Sequence, residues 1–153
     1  MQRTMEQVRS LVAGEHGLAV VATARADGRI QSSVVNVGVL DHPGTGAPVV
    51  AFVARGGTRK LTNLRRARHA TLTLRVGWGW ITVEGTVELL GPADPFDPAV
   101  DLRSLLRDVF HAAGGQHDDL ATYDAVMAQE GRTVVLVHPE RIYGNDVDHE
   151  HVG

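Results

Sequence analysis

Apolar positions in this chain follow a helical period at the start, alternate through most of the next stretch, and return to a helical period before a last alternating run. Met5, Val8, Leu11 and Val12 form a stripe at helical spacing. Thr4 and Gln7 fit a capping box ahead of it, and Gly14 is placed to end the helix. Leu18 to Ala24 is β-prone and almost uncharged. Asp27-Gly28 is a hairpin signal, and Arg29 to Leu40 reads as the return strand, with Val35, Val37 and Val39 alternating toward a core. The loop DHPGTGAP, residues 41–48, leads to a third strand, Val49 to Ala54. In RGGTRKLTNLRRARH, Thr58 is a candidate N-cap, and Leu61 and Leu64 would bury one side of a short helix. Thr71 to Val76 alternates as a fourth strand, and Gly77-Trp78-Gly79 is a turn or bulge. Ile81, Val83, Val87 and Leu89 then share one strand parity and Thr82, Glu84, Thr86 and Glu88 the other, the pattern of a half-exposed fifth strand.

The segment GPADPFDPA at 91–99 breaks that alternation. Leu102, Leu105, Leu106, Val109 and Phe110 form a helical stripe, and residues 119–129 predict a further helix using Leu120, Tyr123, Val126 and Met127. This helical excursion, about 99–129, is followed by a last strand, Thr133 to Val137, which Pro139 is expected to close. A polar tail occupies 145–153. Together these elements predict one domain over residues 1–153, mainly β with flanking helices. The long helical patterns expected between parallel strands are missing, so the six strands fit an antiparallel β-barrel better than a doubly wound sheet.

Composition narrows the chemistry. There are no cysteines, which excludes disulfides and thiolate metal sites and is compatible with a cytoplasmic location. The N-terminus has no signal-peptide pattern, and no apolar run reaches membrane-spanning length, so neither a secreted nor a membrane protein is expected. A formal charge of −3 disfavours a general nucleic-acid binder. The histidines show no metal-ligand spacing, there is no HExxH or GxSxG, and no metal is expected.

The most informative stretch is Arg55-Gly56-Gly57-Thr58-Arg59-Lys60. Glycines let backbone approach a ligand, Thr58 offers a hydroxyl, and a helix start with two adjacent cations suits a phosphate. The plain alternative is a solvated basic loop. It is not a P-loop, because the GxxxxGK[ST] spacing is missing. Arg65, Arg66 and Arg68 either form the polar face of the short helix or meet an anionic ligand tail. Gln31, Ser32, Ser33 and Asn36 put polar groups into an apolar strand, where one polar face meets either ligand or solvent. Trp78 and Trp80, the two tryptophans, suit a planar cofactor, a dimer interface or the core. Glu84 is expected to make a surface salt bridge.

The stretches GLAVVATARADGRIQSSVVNVGV, VVAFVARGGTRKLTNLRRARHATLTL, ITVEGTVELLG and VVLVHPERIYG, in this order, resemble the pyridoxamine 5'-phosphate oxidase-like split barrels. The likeness is strongest to their deazaflavin-dependent branch. It implies a six-stranded split β-barrel of the FMN-binding type. It carries cofactor phosphate binding to Thr58, Arg59 and Lys60, with Arg55 close by. It assigns ring contacts to Val53 and Ala54 and, on the second strand, to Gln31, Ser33 and Val35. It also implies a homodimer whose two cofactor sites, near the seam, each add residues near Trp78, Trp80 or Arg141 of the other subunit. Two departures stand out: the oxidase group often has a polar cofactor contact where this chain has Trp80, and the arginine- and histidine-bearing tail of true pyridoxamine phosphate oxidases is missing.

The resemblance therefore implies an oxidoreductase moving a hydride between reduced coenzyme F420 and a planar or conjugated small-molecule acceptor. Its alternatives are an FMN-binding flavin reductase or oxidase, and a non-enzymatic flavin- or haem-binding carrier or sensor. No side chain is named as a catalytic acid or base.

Overall fold

The computed structural model describes residues 3–14 and 16–145; the remainder of the polar tail, 146–153, lies outside the described residues. Helix α1 (Met5–Gly14) precedes strands β1 (Leu18–Ala24), β2 (Ile30–Asp41) and β3 (Pro48–Ala54). Helix α2 (Arg59–Arg66), strands β4 (His69–Val76) and β5 (Gly79–Leu90), helices α3 (Leu102–Ala112) and α4 (Leu120–Gln129), and strand β6 (Thr133–Gly144) complete the order. The strands close into an antiparallel barrel in the order β1-β2-β3-β6-β5-β4. The expected fold class is therefore observed. The capping box also forms: Thr4 N–H donates to Gln7 Oε1 at 2.9 Å, and Gln7 N–H donates to Thr4 Oγ1 at 3.3 Å.

Strand composition tells which walls are covered on both sides. In β3 nearly every side chain is apolar, and both faces are used. Val50, Phe52 and Ala54 enter the barrel core, whereas Val49, Ala51 and Val53 pack outward with Leu90, Val134 and Leu136. That outer patch is covered by Leu105, Leu106 and Val109 of α3, with Met127 of α4 at its edge. The excursion exists because the β3–β6 wall is too apolar to face water. By contrast β1 alternates strictly, and its outward residues Leu18 and Val20 stay uncovered.

The last strand is longer than expected. It continues through Pro139 to Gly144 because β5 and β6 shift register between Glu84 and Gly85, which seats the proline, without its N–H, in the ladder. Gly85 is required there, since a Cβ would lie 1.8 Å from the His138 carbonyl oxygen.

One seam of the barrel is open. Strands β2 and β3 pair only from Val37–Phe52 to Asp41–Pro48. The first half of β2, Ile30–Asn36, pairs with β1 alone. A split is left between that half-strand and the end of β3, where the chain turns into α2.

Candidate cofactor site at the barrel split

The inner row of the half-strand carries Gln31, Ser33 and Val35, opposite Thr23, Val21 and Ala19 of β1. All three are half-buried. Ser33 Oγ is sealed from solvent and has no hydrogen-bond partner among the described residues. On the other side of the split, β3 ends at Ala54 and the chain runs through Arg55, Gly56 and Gly57 to Thr58. Gly57 has φ +81°, a conformation that resists any side chain. Gly56 is small for a different reason from the one the sequence suggested. It packs on this chain's own α4 end, where a Cβ would meet the Gly131 carbonyl oxygen at 2.9 Å, and its N–H donates to Glu130 O at 3.0 Å.

Thr58 takes the extended backbone of an N-cap, yet its side chain caps nothing. Its Oγ1 is buried and, like Ser33 Oγ, unpartnered. A sealed hydroxyl without a partner costs about 1–3 kcal/mol, and both Ser33 on β2 and Thr58 ahead of α2 carry that cost. Arg55, Arg59 and Lys60 make no ion pair among the described residues. The N-terminal amides of α2, an uncapped hydroxyl and three cations without ion pairs thus lie within one short stretch, residues 55–60.

The other candidates separate from this group. Val53 faces the excursion rather than the split, so only its backbone borders the opening, while Ala54 belongs to the barrel wall. The arginines that follow are mostly spent. Arg65 grips Asp94 with two hydrogen bonds of 2.8 Å, and the exposed Arg66 donates to Ala24 O; Arg68 is exposed and has neither an ion pair nor a side-chain hydrogen bond among the described residues. Asn36 points outward and, with its amide oriented to donate, bonds His16 O at 2.8 Å and Ala113 O at 3.2 Å, a structural role.

Trp78 sits at the β4–β5 turn, 75% exposed, and Trp80 lies edge-on to Tyr143. Both belong to the end of β1 near Leu18, whereas α2 reaches β1 at Thr23, so one chain does not bring the tryptophans to Thr58. Arg141 is on the outer face, 5.5 Å from the Tyr143 ring centre. Glu84 does not form the expected salt bridge; it accepts the Tyr143 hydroxyl at 2.6 Å, and this bond raises the tyrosine's pKa.

One cluster escaped the sequence. Glu88 Oε1 lies 2.8 Å from both His42 Nε2 and His138 Nε2, a trio reminiscent of a metal centre. Its outer shell has the wrong polarity. His42 Nδ1 accepts N–H bonds from Gly44 at 3.0 Å and Thr45 at 3.1 Å, so the ring proton sits on Nε2 and points at Glu88. A ligating histidine needs the reverse. The trio is a clasp joining the 41–48 loop to the β5–β6 wall. Burial opposes ionisation of Glu88, but the bonds from His138 and His42 outweigh it and hold the carboxyl below its ordinary range.

A cavity of 620 Å³ lies between α3 and α4, away from the split. Its charges are already matched, Asp124 with Arg107 and Arg132 with Glu130, and it lies on the outer side of the β3–β6 wall.

The sequence profile of the pyridoxamine 5'-phosphate oxidase family matches residues 4–146. The chain belongs to the pyridoxamine 5'-phosphate oxidase-like split-barrel family. Among solved structures, a conserved hypothetical protein of Mycobacterium tuberculosis is similar at TM-score 0.70 and 18% identity, over 96% of this chain and 90% of that one. An F420 reductase is similar at TM-score 0.60 and 17% identity, over 88% and 94%. An FMN-binding protein of Nostoc punctiforme is similar at TM-score 0.62 and 11% identity, over 93% and 84%. At these identities the likeness shows the fold alone. No curated protein matches the chain. No helix among the described residues is long and apolar enough to cross a membrane.

Proposed function

We propose that the protein is an F420-dependent oxidoreductase that moves a hydride between the reduced coenzyme and a planar or conjugated acceptor. The observation that carries this reading is the pair of sealed, unpartnered hydroxyls, Ser33 Oγ and Thr58 Oγ1, beside three cations without ion pairs. Their chemistry fits a phosphate-bearing ring cofactor. Arg55, Arg59 and Lys60 would neutralise the phosphate, and Thr58 would donate to one of its oxygens. Gln31 and Ser33 would meet the polar edge of the ring, and Val35 with Ala54 would keep water from its face. The cofactor supplies the hydride chemistry; the protein binds, orients and shields it.

The second reading keeps the site and exchanges the cofactor for FMN. The commitment of Arg65 to Asp94 and of Arg66 to Ala24 favours it, because fewer cations remain for the acidic tail of F420. Equilibrium titration with F420 and with FMN separates the two. Saturable F420 binding with weak FMN binding supports the first reading; tight FMN binding with no F420 binding refutes it. Lys60→Ala should weaken the preferred cofactor about tenfold by removing one phosphate charge.

A homodimer is part of the same proposal. On the outer face Val34 pairs with Val20, and Leu18 lies one position along; they are 64%, 45% and 44% exposed. A second copy covering this patch would also shelter Trp80 and place Trp78 or Arg141 near the neighbouring split. Sedimentation at micromolar concentration should give roughly twice the 16.4 kDa chain mass, and a monomer would reject it.

A further inference from the structure

Three polar side chains run from the buried side of α2 to the wall of the split. Asn63, buried on α2, donates from Nδ2 to Thr23 Oγ1 at 3.1 Å. Thr23, on the inner face of β1 and also buried, donates its hydroxyl to Gln31 Oε1 at 3.2 Å. A hydroxyl has one proton to give. With one lone pair accepting from Asn63, the hydroxyl gives that proton to the glutamine carbonyl. The carboxamide is then held by its oxygen, and its NH2 has no protein partner among the described residues. Ser33 Oγ, next along the same row, can donate or accept and imposes no polarity of its own.

We infer that Asn63 and Thr23 are positioning residues that lock Gln31 as a hydrogen-bond donor, so that this wall selects a ligand edge presenting an acceptor, a carbonyl oxygen or an unprotonated ring nitrogen. The inference rests on the cofactor reading above and adds the polarity with which the ring edge is recognised. It also joins the two halves of the site. The helix that begins at the phosphate loop carries, five residues after Thr58, the amide that sets the group facing the ring. Phosphate binding and ring orientation are thereby built on one rigid element.

Dissociation constants for FMN and for F420 are measured on the wild type, Thr23→Val, Gln31→Ala and the double variant. Thr23→Val keeps the side-chain shape and removes the proton that holds Gln31. It should weaken the bound cofactor about fivefold, the worth of one oriented hydrogen bond. In the Gln31→Ala background it should cost nothing further, and Thr23→Ser should restore wild-type affinity. The visible absorbance maximum of the bound cofactor should shift in Thr23→Val and Gln31→Ala alike, a signature that loosened packing would not reproduce. Asn63→Asp, an acceptor in place of a donor, should behave like Thr23→Val. Should the buried variants fail to fold, Gln31→Glu replaces donor by acceptor at the half-buried end of the chain and should bind more weakly than Gln31→Ala. Wild-type affinity in Thr23→Val, equal losses with and without the Gln31 side chain, wild-type affinity in Asn63→Asp, or Gln31→Glu binding as well as Gln31→Ala would overturn the inference alone. A wild type that binds neither FMN nor F420 would overturn the cofactor reading as well.

Discussion

Replacing Asp94 by asparagine tests what anchors helix α2. Asp94 sits in the segment that breaks the strand pattern after β5, and its side chain is only 5% exposed. It accepts two 2.8 Å bonds from Arg65 Nε and Nη2, the forked geometry that makes arginine–carboxylate pairs strong. Asparagine keeps the shape but turns one of the two acceptors into a donor facing the guanidinium. Losing one charge-assisted bond costs about 1.5–3 kcal/mol, and a third of the Arg65 side chain reaches solvent. Discounting for that screening, we expect a loss of about 2 kcal/mol. For a chain of this size that is a fall of about 4–8 °C in Tm. Urea and thermal unfolding of Asp94→Asn, Arg65→Met and the double variant should show coupling of about 1–2 kcal/mol. The pH dependence has a fixed sign. Hydrogen bonding to Arg65 lowers the Asp94 pKa from its ordinary 3.8 despite burial. Its contribution is therefore fully present above that value and fades as pH falls through the lower folded value. The gap between wild type and Asp94→Asn should begin to narrow below about pH 4 and close once pH falls through the lower folded value. A Tm change under about 1 °C, or a gap that persists in acid, would show that α2 is held by its apolar face alone.

Thr58→Val should leave stability unchanged or raise it by up to about 1 kcal/mol, since it deletes a sealed hydroxyl with no partner, while cofactor affinity falls; a clear loss of Tm would mean that the hydroxyl has an unseen structural role. Glu88→Gln should cost about 0.5–1 kcal/mol near neutral pH, as the carboxylate is half exposed. Because the folded Glu88 pKa is lowered, that difference should begin to shrink as pH drops below its ordinary 4.5 and vanish once pH falls through the lower folded value, which unfolding curves from neutral pH down into the acid range would reveal. Val34→Glu should leave secondary structure intact and, if the outer patch is a subunit interface, yield monomers by sedimentation; an unchanged dimer would move the interface elsewhere.

Elements whose pattern comes from their own burial were readable in the sequence. The capping box, the alternating strands and the amphipathic stripe of α3 follow from local chemistry, and the unbroken apolar run of β3 carried the hint of a second covering layer. Features made by register or long-range meeting were not. The continuation of β6 past Pro139 depends on a bulge in that strand at Glu140, opposite the step from Glu84 to Gly85. The His42–Glu88–His138 clasp joins residues far apart in the chain, and Arg65 looked available for a ligand until the fold brought Asp94 to it. The cluster at Arg55–Lys60 could be singled out from the sequence because its residue types are contiguous. The relay behind Gln31 was not, as its three members come from three different elements.

The close seat of Gly56 against Gly131 bears on how this barrel can be diversified. An insertion between two strands usually behaves as a cassette, free to be exchanged as long as its ends meet. Here the far end of the cassette is bolted to the loop that turns into α2, through a backbone bond and a contact with no room for a methyl group. Chimeras that swap residues 92–132 as a block would need to import a partner glycine pair or a matching bend. Extra length is better tolerated at the far tip, between α3 and α4, where that contact is not involved. Lineages that remodel the cover over the β3–β6 wall are thus constrained at Gly56, where a Cβ would crowd the Gly131 carbonyl oxygen, so a larger residue at 56 should be inherited together with a shifted bend about 75 residues on.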